Sequence, residues 1–134
     1  MNLYGTINMV KAVLPELLSC PVADIANVSS MGGCLPVPGQ TIYGATKAGG
    51  KLMTEGLCAE LLDTNVGVSV VFPGAVATDI ASNSGVDAPG GMESDEESEY
   101  PTTSPENAAR TILDGVEDDQ FHIIYKQMRD LLGS

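Results

Sequence analysis

The sequence predicts one α/β domain built around a parallel sheet. Runs rich in β-branched and apolar side chains occupy residues 24–30 and 66–72, and FHIIY at residues 121–125 is a third such run. Continuous apolar strands that alternate with helical segments are typical of parallel sheets covered on both faces. Hydrophobic residues make up 43% of the chain and Trp is absent, so aliphatic side chains must form the core. A chain of 134 residues is long enough for one small domain, residues 1–134.

The first predicted element is a helix over residues 2–18. Its apolar residues recur at spacings of four, three, four and three, which forms one stripe of Leu3, Ile7, Val10, Leu14 and Leu17. Pro15 should bend or break the last turn, because proline lacks a backbone donor and crowds the carbonyl four residues earlier. The strand at residues 24–30 follows, and we expect both of its faces to be buried if it is central in the sheet.

A turn rich in Gly and Pro leads from this strand to a second helix over residues 42–64. Small or apolar residues line one side of this helix: Ala45, Gly49, Leu52, Gly56 and Ala59. Small residues let another backbone approach closely. Because a glycine inside a helix costs about 1 kcal/mol relative to Ala, a packing contact should compensate for these glycines.

The second half of the chain adds one strand, a polar segment, a helix and a last strand. The strand at residues 66–72 stops at Pro73-Gly74, and residues 81–103 are polar and acidic, which predicts a mobile segment. Ser104-Pro105-Glu106 provides an N-cap, a proline at the first helical position and an acid near the positive end of the helix dipole. The predicted helix runs to about residue 116 and precedes the strand at 121–125.

The charge pattern excludes several classes of partner. The net charge is −12, but residues 79–119 hold twelve of the eighteen acids and one arginine, so the remaining residues sum to −1. Without a basic patch to neutralise phosphates, nucleic acid and anionic membranes are poor partners. No apolar run reaches about 18 residues, which argues against a membrane span. His122 is the only histidine and has no ligands at metal-binding spacing, so we expect no metal site.

Cysteine usage indicates a reducing compartment. The chain has three cysteines, an odd number that cannot all pair within the chain: Cys20, Cys34 and Cys58. They form no C-x-x-C motif, and no signal peptide precedes them. We therefore expect a cytoplasmic location.

Candidate catalytic residues lie at the end of the first strand and on the helix that follows it. Tyr43 and Lys47 are four residues apart in a predicted helix, so their side chains leave the same face. A lysine cation beside a phenol favours the phenolate, so the hydroxyl can exchange a proton nearer to neutral pH. Ser30 lies thirteen residues before Tyr43, where it could hold a substrate oxygen. The alternative is an ordinary half-buried tyrosine beside a solvated lysine.

Ser30 and Tyr43-x-x-x-Lys47, together with Gly32-Gly33 and PGAVATD at residues 73–79, resemble the centre of the short-chain dehydrogenases/reductases. The resemblance implies a partial Rossmann-like, doubly wound parallel sheet with only the last three strands and their helices. It also implies that Tyr43 exchanges the hydroxyl proton. Lys47 would favour its phenolate and hold the nicotinamide ribose, and Ser30 would orient the substrate oxygen.

The resemblance extends to the first helix and to the cofactor. Asn2, followed by Gly5, resembles an N-x-x-G pattern whose asparagine holds a water that continues a proton relay from the lysine; the alternative is a polar residue with no such role. NAD or NADP is the implied cofactor. This chain would contain only the half of the binding site that holds the nicotinamide. Besides Tyr43 and Lys47, the implied cofactor-binding residues are Pro73, Gly74, Val76 and Thr78; the alternative is a turn without a ligand.

The turn after the first strand and the acidic segment are candidates for substrate contacts. We expect Met31, Cys34, Val37 and Gln40 to line the substrate pocket together with Ser30, although they could equally be ordinary loop residues. The resemblance makes residues 81–103 the variable substrate lid, whereas a solvated loop without a function is the alternative.

The glycine-rich turn that would hold the pyrophosphate is not found in the sequence. No G-x-x-x-G-x-G occurs, so the resemblance covers only the second half of the family fold. We therefore expect a fragment, a truncated product or a mis-assigned start, with an open edge at residues 24–30. In the family, the helix corresponding to 42–64 packs against its copy, which implies a homo-oligomer through the helices at 2–18 and 42–64.

Two functions follow from this sequence. The first is an NAD(P)-dependent oxidoreductase that interconverts an alcohol and a carbonyl, in a truncated form with impaired cofactor binding. The second is a non-catalytic fragment that acts as a dimerisation or interaction module.

Overall fold

The computed structural model describes residues 2–74 and 103–125. In chain order, the elements are α1 (Tyr4–Ser19), β1 (Ala23–Val28), a 3-10 turn (Met31–Gly33), α2 (Thr41–Glu60), β2 (Val66–Phe72), α3 (Pro105–Glu117) and β3 (His122–Ile124). Val76, Thr78 and all but the last residue of the predicted lid lie outside the described residues.

The sheet has three parallel strands in the order β1-β2-β3. Ala23 pairs with Val66 and Val28 with Val71, while the β2–β3 ladder begins where Val70 pairs with His122. The predicted α/β class with a parallel sheet is therefore confirmed.

Helices cover the sheet from both sides. On one face, α1 and α2 contribute Leu14, Leu17, Leu57 and Cys58 to a cluster around Ala23, Ile25, Leu61, Val66 and Val68. On the other face, α3 contributes Ala108, Ile112 and Val116 to a cluster around Val71, Ile123 and Tyr125. This arrangement is the doubly wound one that the sequence predicts.

Strand β1 is buried on one face only; burial of both faces was expected if the strand were central in the sheet. Ala23 and Ile25 are buried, but Asp24, Ala26 and Val28 between and beyond them are exposed. In the described part of the chain β1 is an edge strand, and α3 packs against β2 and β3 rather than against it. Strand β2 lies between β1 and β3 and is buried along almost its whole length, as predicted.

The helix ends differ modestly from the predicted ones. Helix α1 continues past Pro15 to Ser19, because the proline lies near the end and removes only one backbone donor. Helix α2 ends at Glu60, four residues earlier than the predicted residue 64. Helix α3 begins as predicted, since the Ser104 hydroxyl accepts a hydrogen bond from the backbone N–H of Asn107 at 3.3 Å. Within residues 2–74 and 103–125, no helix has both the length and the apolar character that a membrane crossing requires.

Candidate active site

The carboxyl ends of β1 and β2 lie side by side. The backbone N–H of Ser29 donates to the carbonyl of Val71 at 2.8 Å, which extends the β1–β2 pairing by one residue. Pro73 and Gly74 directly follow β2 and are half-buried at the same edge. Ligands of open α/β sheets bind beyond the carboxyl ends of the strands, so this edge is the natural place for a site.

Lys47 is fixed to the end of β1 at two points. The buried hydroxyl of Ser29 donates to the main-chain carbonyl of Lys47 at 2.9 Å, and the Lys47 ammonium donates to the carbonyl of Val28 at 3.3 Å. These bonds hold the second turn of α2 against the strand. Sequence reasoning missed the role of Ser29, although the period-two alternation through Ile25 and Asn27 would have directed its side chain inward.

Tyr43 lies one helical turn before Lys47. The Lys47 Nζ atom is 5.8 Å from the centroid of the Tyr43 ring. The tyrosine is 41% exposed, so a small molecule can reach its hydroxyl.

Ser30 begins the 3-10 turn that passes over the Tyr43 ring. Its backbone is extended, and its hydroxyl oxygen accepts a hydrogen bond from the N–H of Gly32 at 3.3 Å. A methyl group placed on Gly32 would lie 3.5 Å from Tyr43 Cε1 and 3.4 Å from Gln40 Oε1. The tyrosine ring and the glutamine amide therefore both border Gly32, next to the serine.

Two glycines allow the turn to pack directly on the backbone of α2. A Cβ on Gly33 would lie 2.9 Å from the carbonyl carbon of Lys47 and 3.0 Å from the nitrogen of Ala48. A Cβ on Gly44 would lie 2.8 Å from the carbonyl oxygen of Gly32. Real Cβ atoms do not approach backbone this closely, so only glycine fits here.

Asn2 and Lys47 line the same small cavity. Its water-accessible volume is about 10 Å³, and its wall is formed by Asn2, Thr6, Asn27, Val28, Ser29, Thr46, Lys47 and Gly50. This is close to the smallest space that accommodates one water. Most of the lining residues carry a polar side chain, although the surface that they expose to the cavity is more apolar than polar.

The predicted substrate residues have different surroundings. Met31 packs against the buried Val70 and Phe72, whereas Cys34 and Val37 are exposed. Although the residue is exposed, partial desolvation of its thiol raises the pKa of Cys34, which favours the neutral form. Gln40 is half-buried beside Gly32 and is the predicted substrate residue that the structure brings to Tyr43.

A charged cluster further along α2 was not anticipated from the sequence. Lys51 Nζ and His122 Nε2 each lie 2.9 Å from Glu55 Oε1. Hydrogen bonds from Lys51 and then from His122 lower the pKa of the Glu55 carboxyl. The cluster ties α2 to β3, and the part of the chain that the structure describes holds no group of three or more acidic, His or Cys side chains suited to a metal.

The sequence matches a known family and several of its members. A family model described as short chain dehydrogenase matches residues 1–88. An oxidoreductase named SadH from Mycobacterium tuberculosis is 34% identical over 131 residues, which cover 92% of this chain and 47% of that protein. The 2,5-dichloro-2,5-cyclohexadiene-1,4-diol dehydrogenase LinX from Sphingobium indicum is 36% identical over 74 residues, or 55% of this chain and 30% of that one.

Two solved structures with the same fold contain a nicotinamide cofactor. A short-chain dehydrogenase from Burkholderia cenocepacia, solved with NADP, has a TM-score of 0.78 and 27% identity. One from Sphingobium yanoikuyae, solved with NADPH, has a TM-score of 0.76 and 26% identity. Both matches cover 98% of this chain and 50% of the other. The chain thus spans about half the length of the relatives it matches.

Proposed function

Because this chain belongs to the short-chain dehydrogenase/reductase family, we propose that it is the catalytic half of an NAD(P)-dependent oxidoreductase that interconverts an alcohol and a carbonyl. The observation that carries the proposal is the close grouping of Tyr43, Lys47 and the Ser30 turn at the carboxyl end of β1. Three different groups, a phenol, an ammonium and an alcohol, are then available at one edge of a parallel sheet.

The residues at this edge fit the nicotinamide end of NAD or NADP. An ammonium carries three donors, and within the described residues Lys47 uses one of them on Val28, so others are available for ribose hydroxyls. Pro73 and Gly74 directly follow β2 at the same edge, where both are half-buried. Tyr43 and Lys47, with Pro73 and Gly74, would hold this end of the cofactor, and Val76 and Thr78 remain candidates beyond the described residues.

Tyr43 and Lys47 would carry out the proton transfer. When bound, the nicotinamide would supply or accept the hydride. The Tyr43 hydroxyl gives a proton to the carbonyl oxygen during reduction and takes it back during oxidation. The Lys47 ammonium, 5.8 Å from the ring centroid, favours the negative charge that remains on Tyr43.

Ser30 is suited to orient the substrate oxygen. Its hydroxyl oxygen already accepts the N–H of Gly32, so the hydroxyl proton remains to be donated. That proton is directed to the substrate oxygen beside Tyr43. Gln40, on the other side of Gly32, would meet a polar substituent of the substrate.

Asn2 supports the return of the proton from solvent. It shares a cavity of one-water size with Lys47, so a water there links the ammonium to the surface. A relay through Tyr43, Lys47 and this water would restore the tyrosine proton after each turnover.

The exposed surface supports homo-oligomerisation and a second candidate function. Large apolar side chains are exposed on both helices of one face, among them Tyr4, Met9, Ile42 and Leu52. Val22 and Val28 are 80% and 53% exposed at the β1 edge. A non-catalytic module that pairs through α1, α2 and this edge is the alternative to the enzyme.

The proposal is tested with NADH and NADPH and a panel of ketones and secondary alcohols. The 134 residues contain no G-x-x-x-G-x-G, so we expect weak cofactor binding by this chain alone. In any preparation that turns over, Tyr43→Phe should lower kcat by about 10² to 10⁴. Unchanged turnover in this variant would refute the assignment of Tyr43. Absence of nicotinamide binding and of turnover from every preparation would favour the interaction module.

A further inference from the structure

Asn27 is a polar residue of β1 whose side chain faces α2. Its Nδ2 atom lies 3.0 Å from the hydroxyl oxygen of Thr54. Thr54 is completely buried, and its hydroxyl donates to the carbonyl of Gly50 at 2.7 Å. An asparagine half-buried in a strand therefore has its amide held by a threonine in the core.

The buried threonine determines which way the Asn27 amide points. A hydroxyl has one proton, and Thr54 uses it on the carbonyl of Gly50, so toward Asn27 the hydroxyl can only accept. The amide must present its NH₂ group to Thr54. Its carbonyl oxygen is consequently directed to the other side of the amide.

Asn27 is also one of the residues that line the cavity shared by Asn2 and Lys47. With its NH₂ group held by Thr54, the Asn27 side chain can present its oxygen to this cavity, which Lys47 also lines. The Lys47 ammonium donates to the neighbouring Val28 carbonyl at 3.3 Å. A water in the cavity can accept from the ammonium and donate to the Asn27 oxygen. It then has the two or more polar partners that a buried water requires.

We propose that Asn27, oriented by Thr54, is a positioning residue for Lys47, because its carbonyl oxygen holds the water through which Lys47 is linked to Asn2. The inference rests on the proposed function for its importance to the reaction. The interaction itself exists independently of cofactor and substrate, and it can be tested on the chain alone. Neither Asn27 nor Thr54 touches the reacting atoms.

The test is competitive acetylation of lysines with acetic anhydride, followed by mass spectrometry of the peptides. Lys51 is an internal reference, since it lies one turn further along α2 and is bonded to Glu55 at 2.9 Å. Loss of the water or of its acceptor destabilises the Lys47 ammonium and exposes more free amine. Asn27→Leu and Thr54→Val should raise the Lys47:Lys51 labelling ratio at least about tenfold, the effect expected for one hydrogen bond to a charged group.

Thr54→Ser is the matched control, because it keeps the hydroxyl and should keep the labelling ratio of the parent. A ratio unchanged in both Asn27→Leu and Thr54→Val would overturn the proposal. Equal increases for Lys47 and Lys51 would also overturn it, because they would indicate general loosening of α2. If Asn27→Leu fails to fold, Thr54→Val decides, since it differs little in volume from the parent.

The labelling experiment and the test of the proposed function can give different answers. A raised ratio in a chain that never binds NADH or NADPH would support the positioning role and would favour the interaction module over the oxidoreductase. An unchanged ratio in a chain whose turnover depends on Tyr43 would refute only the role of Asn27. In an active preparation, Thr54→Val should lower kcat more than it raises KM, whereas Thr54→Ser should behave as the parent.

Discussion

Ser29 and Lys47 are joined by a hydrogen bond of 2.9 Å from the serine hydroxyl to the lysine main-chain carbonyl. The ammonium of the same lysine reaches back to the carbonyl of Val28, at 3.3 Å. The position of Lys47 therefore depends on a buried serine directly before the candidate catalytic serine. The two neighbouring serines have separable tasks, since Ser29 fixes the helix and Ser30 faces Tyr43 across Gly32.

We predict that alanine at Ser29 mainly lowers stability, whereas alanine at Ser30 mainly lowers turnover. Ser29→Ala should lower the free energy of unfolding by about 1 kcal/mol, because it removes a buried hydrogen bond. Ser30→Ala should change stability less, because it removes a weaker bond of 3.3 Å in a partly exposed turn, and should abolish most turnover in an active preparation. Urea denaturation of both variants measures the first effect. A stable Ser29→Ala variant beside a strongly destabilised Ser30→Ala variant would contradict this division.

Glycine substitutions should separate close packing from helix propensity. Gly33→Ala should lower the free energy of unfolding by about 1 to 3 kcal/mol, because its Cβ would meet backbone atoms of Lys47 and Ala48 that cannot move independently. Gly56→Ala is the matched control inside α2, where nothing lies within 4 Å of an added Cβ. It should stabilise the monomer by about 1 kcal/mol. Thermal and urea unfolding check both variants, and equal effects would contradict the packing argument.

Periodicity and turn chemistry were sufficient to predict most of the fold. The stripe in α1, the continuous β2 run and the Ser104 cap each produced the predicted element. An open edge at residues 24–30 was expected, but the exposed face of β1 was not, because an apolar run does not reveal which neighbours cover it. Burial of a strand depends on the elements packed against it, and that is information from the tertiary structure.

The candidate site was only partly predictable for a related reason. The spacing of four residues predicted that Tyr43 and Lys47 share one helix face. The family motif predicted that Ser30 lies near them. Ser29 and Gly33 matter because the turn after β1 lies very close to α2. The spacing of residues in the sequence does not predict that distance. Nor does local sequence link Glu55 to His122, which lie 67 residues apart and meet only through the sheet.

The exposed side of α2 is the predicted homodimer contact. Ile42 and Leu52 are 77% and 69% exposed, and Ala45, Gly56 and Ala59 on the same side are also exposed. Gly49 instead faces Leu3, which lies 3.5 Å from an added Cβ, so α1 covers that position. We expect a dimer at micromolar concentration by sedimentation velocity. Leu52→Lys should shift it to monomer, because a buried unpaired ammonium opposes association.

A charge at Leu113 provides the control for this experiment. Leu113 is 64% exposed on α3, which packs on the opposite face of the sheet. Leu113→Lys should leave the sedimentation coefficient unchanged. Monomeric parent protein, or equal dissociation by both lysine variants, would exclude α2 as the specific contact.

The cluster around Glu55 predicts how stability responds to acid. The pKa of Glu55 lies below its ordinary value of 4.5, chiefly because Lys51 and then His122 donate hydrogen bonds to its carboxylate. A carboxyl with a lower pKa in the folded chain than in the unfolded chain adds stability above that ordinary value. This contribution is lost as the pH falls through the folded-state pKa. We therefore expect Glu55→Gln to be less stable than the parent at neutral pH and to lose less stability below about pH 4.5.

Urea unfolding at a series of pH values measures this difference. Glu60→Gln is the control, since Glu60 is exposed at the end of the same helix and should leave the acid part of the profile unchanged. If the Glu55→Gln profile runs parallel to that of the parent through the acid range, the cluster contributes no linked stability. Convergence of the two profiles toward low pH would instead show that the ionised carboxylate is the form that ties α2 to β3, because it accepts the hydrogen bonds from Lys51 and His122 more strongly than a neutral carboxyl does.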